Sequence, residues 1–413
     1  MASKHFTLLL VALTIVAVIF ISGCAGQGGD TTKKNSGEYP ACPEELSGLL
    51  TVSMIDVNQI AAIEPLGAVN GQDHMLPVDH VYYNSNINAD PISTILPVYA
   101  PADITITKIA KHQNFEADGT PQSGPEFMID FVVCDGITLW VEGIHTLSPA
   151  LEEIYNKSEK SYNEGPLNQG AKATNYDIQL AYAAKAGEII AWTGGVNERD
   201  SIAVTAFNEN IKQLEGVNYN YYPERLRTAF CYIDLYSGDL KKSIENKFGD
   251  YNMQSKNGVN GAEGYTATFT PRTQEPKCGE IIQTIPGTIQ GDWFYGSPSI
   301  KDNGENLESE GKTLSFLHKN TNPSYAIISI GGNFMKTGAM EFVPNHSGFI
   351  NREPSEVTAD GNVYCYNPQE GLWSIMEGKI LVQLTDSNHL KVEHQDGSCT
   401  GSETFTSPFT YQR

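Results

Sequence analysis

Apolar residues in this chain gather in short runs, many of them alternating with polar ones, and the runs stop at Gly, Pro, Asn or Asp. That is the spacing of β-strands. Between Leu46 and Tyr251 the strand candidates are Val98–Ala100, Ile104–Ile109, Phe127–Val133, Thr138–Val141, Ile189–Thr193 and Ile202–Phe207. One segment departs from the pattern. From Tyr236 to Phe248 the apolar Leu240, Ile244 and Phe248 recur every fourth residue with lysines between them, which predicts an amphipathic helix closing this region. Turn-forming residues then dominate from Ser255 to Lys277. Beyond Gly279 no helix is predicted, only a succession of β runs: TIQGDWFY, TLSFLH, YAIISIGG, AMEFVP, NVYCYN, GKILVQL, LKVEH and FTSPFTYQR. GKILVQL and LKVEH, either side of the polar TDSNH, predict a hairpin with a five-residue turn. The expected fold is therefore mainly β: one domain over residues 46–254, a linker over 255–278, and an all-β barrel or sandwich over 279–413.

The N-terminus sets the compartment. Lys4, the apolar stretch Leu8–Ile21 and the small Ser22 and Gly23 before Cys24 have the layout of a secretory signal over residues 1–23, too short to span a bilayer comfortably. Ile21-Ser22-Gly23-Cys24 resembles the lipobox of prokaryotic lipoproteins, which implies cleavage before Cys24 and a diacylglycerol on its sulfur. An uncleaved anchor is the competing reading and gives the same topology. The chain is expected on the extracytoplasmic side of the cell membrane, held there by lipid on Cys24, with residues 24–45 as a flexible spacer.

Composition narrows the partners. With 49 acidic against 27 basic side chains the net charge is −22, and no Lys/Arg cluster is present, so nucleic acid is excluded as a partner. Setting Cys24 aside leaves Cys42, Cys134, Cys231, Cys278, Cys365 and Cys399, an even set that predicts disulfides in an oxidising compartment. Cys365 with Cys399 is the expected pair within the C-terminal domain, linking two of its strands. The pairing of the other four stays open.

Four segments between roughly residues 66 and 210 carry a family resemblance. They are GQDHMLPVDHVYY (from Gly71), LPVYAPADITITKI (from Leu96), TLWVEGIHTLSPAL (from Thr138) and AAKAGEIIAWTGG (from Ala183). In their order they resemble the lysostaphin-type zinc endopeptidases, peptidoglycan endopeptidases whose catalytic fold is the duplicated hybrid motif, a β barrel-sandwich. The resemblance implies that fold for the first domain. It also implies a zinc site built from an H-x-x-x-D pair and the second histidine of a later H-x-H, with an open position for water. His74 and Asp79 match the first pair, with four residues between them instead of three. His145 matches the histidine that supports the transition state. At the two positions of H-x-H stand Ser201 and Ala203, neither of them a zinc ligand.

Two function classes follow. In the first, the cleft is degenerate and non-catalytic, holds no zinc, and binds cell-wall glycan or peptide or scaffolds a partner. In the second, His80 stands in for the missing ligand beside His74 and Asp79, and the protein is a zinc metalloendopeptidase with a rearranged site. A third reading concerns the C-terminal domain. Gly291-Asp292-Trp293 faintly resembles the G-x-W of lipocalin-like barrels, with Arg413 able to pack on the indole, and such a barrel would carry a small hydrophobic ligand behind Trp293.

Overall fold

The computed structural model describes residues 39–69, 74–85, 95–116, 118–121, 125–166, 172–193, 201–211, 217–255, 265–296 and 312–413. The signal 1–23 and Cys24 lie outside the described residues, as do Gly71, Gln72 and Asp73 of the first matched segment. Among the described residues no helix is long and apolar enough to cross a membrane.

The architecture is mainly β, in antiparallel sheets. An eleven-stranded sheet holds β1 (Ile60–Glu64), β2 (His80–Ser85), β3 (Pro97–Tyr99), β4 (Ile104–Phe115), β5 (Glu126–Cys134), β6 (Ile137–Leu147), β7 (Ser161–Pro166), β8 (Lys172–Ala184), β9 (Ile189–Thr193), β10 (Ser201–Asn208) and β11 (Ala229–Phe230). Its main path runs β1-β2-β10-β6-β5-β4-β8-β7, and β11 adds to β10. The sheet turns back on itself at β6. Its first half pairs with β10 and β5, and its far end pairs with β9, which pairs with β3. The register slips between these halves at Gly143, whose φ of +80° is open to glycine at little cost.

The amphipathic helix predicted over Tyr236–Phe248 is shorter, α3 (Gly238–Glu245), with Ile244 and Phe248 in the core as the period required. A second helix, α1 (Pro149–Lys157), follows β6 where no helix is predicted: Ser148 precedes it, Pro149 opens it, and Leu151 and Tyr155, one turn apart, are buried. A short α2 (Glu224–Thr228) leads into β11. Within the stretch read as a linker, β13 (Tyr265–Pro271) pairs along its length with β12 (Gly249–Ser255) to make a ribbon.

The C-terminal region is an eight-stranded sheet of β14 (Gly291–Tyr295), β15 (Thr313–His318), β16 (Ala326–Ile330), β17 (Gly338–Phe342), β18 (Tyr364–Tyr366), β19 (Lys379–Asp386), β20 (His389–Gln395) and β21 (Phe409–Gln412). Its order, β17-β16-β15-β14-β21-β20-β19-β18, is an up-and-down meander in which first and last strands pair. On the open flank, residues 373–375 hydrogen-bond to β17. The predicted hairpin forms, but its turn is Ser387-Asn388 alone: Asp386 accepts from the Asn388 N–H and Thr385 Oγ1 donates to the His389 carbonyl, so the polar flanks extend the strands.

Three disulfides form: Cys42–Cys134, Cys231–Cys278 and Cys365–Cys399, the last with Cα atoms 5.8 Å apart. Cys365 is on β18, whereas Cys399 lies in the turns after β20 and not on a strand. Trp293 lies in one buried cluster with Phe316, Phe342 and Tyr366, in which Phe316 and Phe342 pack on Tyr366 at 5.7 and 5.2 Å between ring centroids.

The two cores are stitched together closely. Ser329 Oγ donates to the Met75 carbonyl, and Tyr221 and Tyr222 both stack near Phe294 on β14. A Cβ on Gly67 would fall 2.0 Å from the Glu280 carbonyl oxygen, so only glycine lets the strands cross there. Asp292 sits in this seam, fully buried, accepting from Ser315 Oγ at 2.6 Å and Tyr222 OH at 3.0 Å. Burial pushes its carboxyl up to about 6 against those bonds and the Arg413 charge. A raised folded value favours the fold fully below the ordinary pKa of 3.8, and that gain is lost as pH rises through about 6. Stability should therefore fall by about 2 kcal/mol between pH 4 and 7 from this group. Asp292→Asn should remove that slope, as read by urea denaturation of both proteins across the range.

Candidate functional site

The register of the large sheet sorts side chains onto two faces. Val81, Val204, Val141, Ile129, Ile109 and Ile178 stand opposite one another on six neighbouring strands, and all are buried. Because side chains alternate along a strand, the rows on either side point the other way. One row runs His80, Thr205, Trp140, Asp130 and Lys108 across β2, β10, β6, β5 and β4. The next sets Ala203 between Tyr82 and Glu142. A polar face thus backs directly onto the apolar core.

Its centre is Asp79 and His80, 1% and 5% exposed. His80 Nδ1 donates to Asp79 Oδ1 at 2.9 Å, and Arg225 Nε, from α2, lies 3.6 Å from Asp79 Oδ2. Burial favours a protonated Asp79, but the Arg225 charge and the His80 bond outweigh it and hold the carboxyl below its usual value. With Asp79 ionised and accepting from Nδ1–H, a neutral His80 carries its lone pair on Nε2. That Nε2 is buried and among the described residues has no hydrogen-bond partner; the same holds for the indole N–H of Trp140 in the same row. Each orphaned group costs about 1–3 kcal/mol unless something binds it. Around His80, the Tyr82 ring packs edge-on at 4.6 Å and the His74 ring at 5.7 Å, with Tyr82 OH 3.4 Å from His74 Nε2.

Carboxyls complete the face. Glu142 keeps part of its surface open, yet the surrounding protein raises it to about 7, with the Glu126 and Asp79 charges adding to burial and those of His80 and His112 opposing. Burial likewise raises Asp130 to about 6 despite Lys108 nearby, and Lys108 Nζ reaches Asp177 Oδ2 at 3.6 Å. Near neutral pH Glu142 therefore titrates beside an Asp79 that stays ionised.

Of the residues singled out in the sequence, His74, Asp79 and His80 are brought together. His145 is not joined to them: it lies beyond the Gly143 bulge, is exposed, and its side chain makes no hydrogen bond or ion pair among the described residues. No three donor atoms from His74, Asp79, His80 and His145 lie within 4.8 Å of one another, so in this arrangement the set does not fit a three-ligand zinc site. Among the described residues the one such grouping is Cys365, Cys399 and Glu403, whose sulfurs are joined in a disulfide. Ala203 lies between Tyr82 and Glu142 with no donor to give, and Ser201 pairs with Asn84.

Sequence reasoning missed Trp140, Glu142 and Arg225. The first two had a signal, since in ITLWVEGI they alternate with Leu139 and Val141 and mark a strand with one polar face. Arg225 had none, because its approach to Asp79 comes from a separate helix through tertiary packing. Compared with protein-family models, with curated proteins and with solved structures, the chain matches none.

Proposed function

We propose that this is an extracytoplasmic lipoprotein, anchored through Cys24, whose first domain is a degenerate, non-catalytic relative of the lysostaphin-type endopeptidases and binds cell-envelope peptide. The observation that carries the reading is the Arg225–Asp79–His80 relay ending in a buried, unpartnered Nε2, with the unpartnered Trp140 N–H in the same row. One is an acceptor and the other a donor, the pair that a peptide N–H and C=O require. The positions that would supply zinc ligands hold Ser201 and Ala203 instead, so the cleft binds without cleaving. Envelope glycan is the alternative occupant, with hydroxyls meeting the same two groups.

The test uses the full-length protein in detergent with soluble muropeptides as probe. Binding is expected, weakened at least tenfold by His80→Ala, with no stoichiometric zinc and no clearing of sacculi. Zinc retained one to one, with clearing that disappears in chelator and in His80→Ala, would instead establish a metalloendopeptidase with a rearranged ligand set.

A further inference from the structure

A cleft lies apart from His80, where the β12–β13 ribbon meets the open flank of the barrel. It encloses about 510 Å³ and is walled by Trp373, Tyr325 and Leu372 on one hand and by Lys319, Glu341 and Asp250 on the other. That volume falls within the ~300–1,000 Å³ of small-ligand sites. Trp373 is 38% exposed, an unusual state for an indole, yet its backbone is fixed. Its carbonyl accepts from the Glu341 N–H at 2.9 Å, and two residues on Ile375 N–H bonds to the Ala339 carbonyl at 3.0 Å. Beside it Lys319 Nζ lies 3.0 Å from Glu341 Oε1 and 3.6 Å from Asp250 Oδ1.

We infer that this cleft is a binding site for short neutral oligosaccharides. An exposed ring on a rigid strand edge offers a flat apolar surface for the C–H face of a pyranose, at small conformational cost. The ammonium and the two carboxylates supply donors and acceptors for hydroxyl groups, which both give and accept hydrogen bonds. Charge selects within that class. One cation between two anions leaves the cleft net negative on a chain of charge −22, which repels uronic acids and phosphorylated sugars. A purely apolar ligand is disfavoured because it would cover Lys319 and its partners without hydrogen-bonding them. The site does not depend on the His80 cleft, so either can fail alone.

Calorimetric titration of the full-length protein in detergent with cellotriose, maltotriose and triacetylchitotriose tests this, with trigalacturonic acid as the acidic comparison. At least one neutral trisaccharide should bind and the acidic one should not. Trp373→Ala should weaken binding at least tenfold, Trp373→Phe less than threefold, and His80→Ala should leave it unchanged. A readout without variants is oxidation of the indoles by N-bromosuccinimide followed by peptide mapping, in which bound sugar should protect Trp373. No neutral binding, tighter binding of the acidic sugar, loss in His80→Ala with retention in Trp373→Ala, or an unprotected Trp373 under saturating sugar would each overturn the assignment.

Discussion

Asp79→Ala is expected to destabilise the protein by about 1–3 kcal/mol, because it takes the acceptor from a buried imidazole N–H and a neighbouring carboxylate from Arg225. Arg225 would lose the carboxylate 3.6 Å away, and the His80 Nδ1–H, 5% exposed, would lose its acceptor. Asp79→Asn separates charge from hydrogen bonding. Its amide oxygen still accepts from Nδ1–H, so His80 keeps its tautomer and only the attraction to the part-exposed Arg225 goes; the cost should be smaller, about 0–1 kcal/mol. In muropeptide binding the two variants should also rank apart, with alanine losing affinity because the imidazole is no longer oriented, and asparagine retaining most of it. Urea denaturation together with binding at one pH checks both. Equal stability of Asp79→Ala and the parent would mean that the relay is not a structural unit.

The strands were the most legible part of the chain, for a physical reason visible in particular residues. Ile189–Thr193 was read with the bounds it has, and every β run beyond Gly279 forms a strand of the meander, since each alternates or is bounded by turn residues. β8, thirteen residues long, is not among the predicted strands: Ile178 and Tyr182 pack on the core while Tyr176 and Gln179 are exposed, and β7 pairs only with its first half, Lys172 to Asp177. β13 was hidden by the turn-rich composition around it and is defined only by β12 opposite. In the candidate site the residues on β2 could be picked by type, but the ends of the relay could not. Arg225 is about 145 residues from Asp79 along the chain, a separation that local pattern does not encode. The expected histidine at 145 was misplaced by one backbone event, the Gly143 bulge, which separates the residues after it from the register of Trp140 and Glu142. Arg413 packs on the Trp293 indole as the sequence suggests, 4.2 Å from the ring centroid.

Trp293→Ala should cost the barrel about 3–5 kcal/mol, the range for removing a large buried aromatic. The indole is fully buried, donates Nε1–H to the Ile289 carbonyl at 2.8 Å, and carries the Arg413 guanidinium 4.2 Å above its ring. Arg413 in turn donates to the carbonyls of Gln290, Thr288 and Ser387, so one side chain ties the end of β21 to the entry of β14 and to the β19–β20 turn. Burial lowers the guanidinium to about 10, still charged at neutral pH, and cation–π attraction under such desolvation adds ~2 kcal/mol. Arg413→Met keeps the apolar stem but abandons three carbonyls, and should cost about 2–3 kcal/mol. Since the two side chains touch, their losses should not add: the double variant should be less destabilised than the sum by about 1–2 kcal/mol. Urea denaturation of the four proteins, followed by near-ultraviolet dichroism, closes the cycle. Strict additivity would show that the guanidinium merely lies over the ring, whereas the expected shortfall makes the Trp293–Arg413 stack the clasp that joins the first and last strands of the meander.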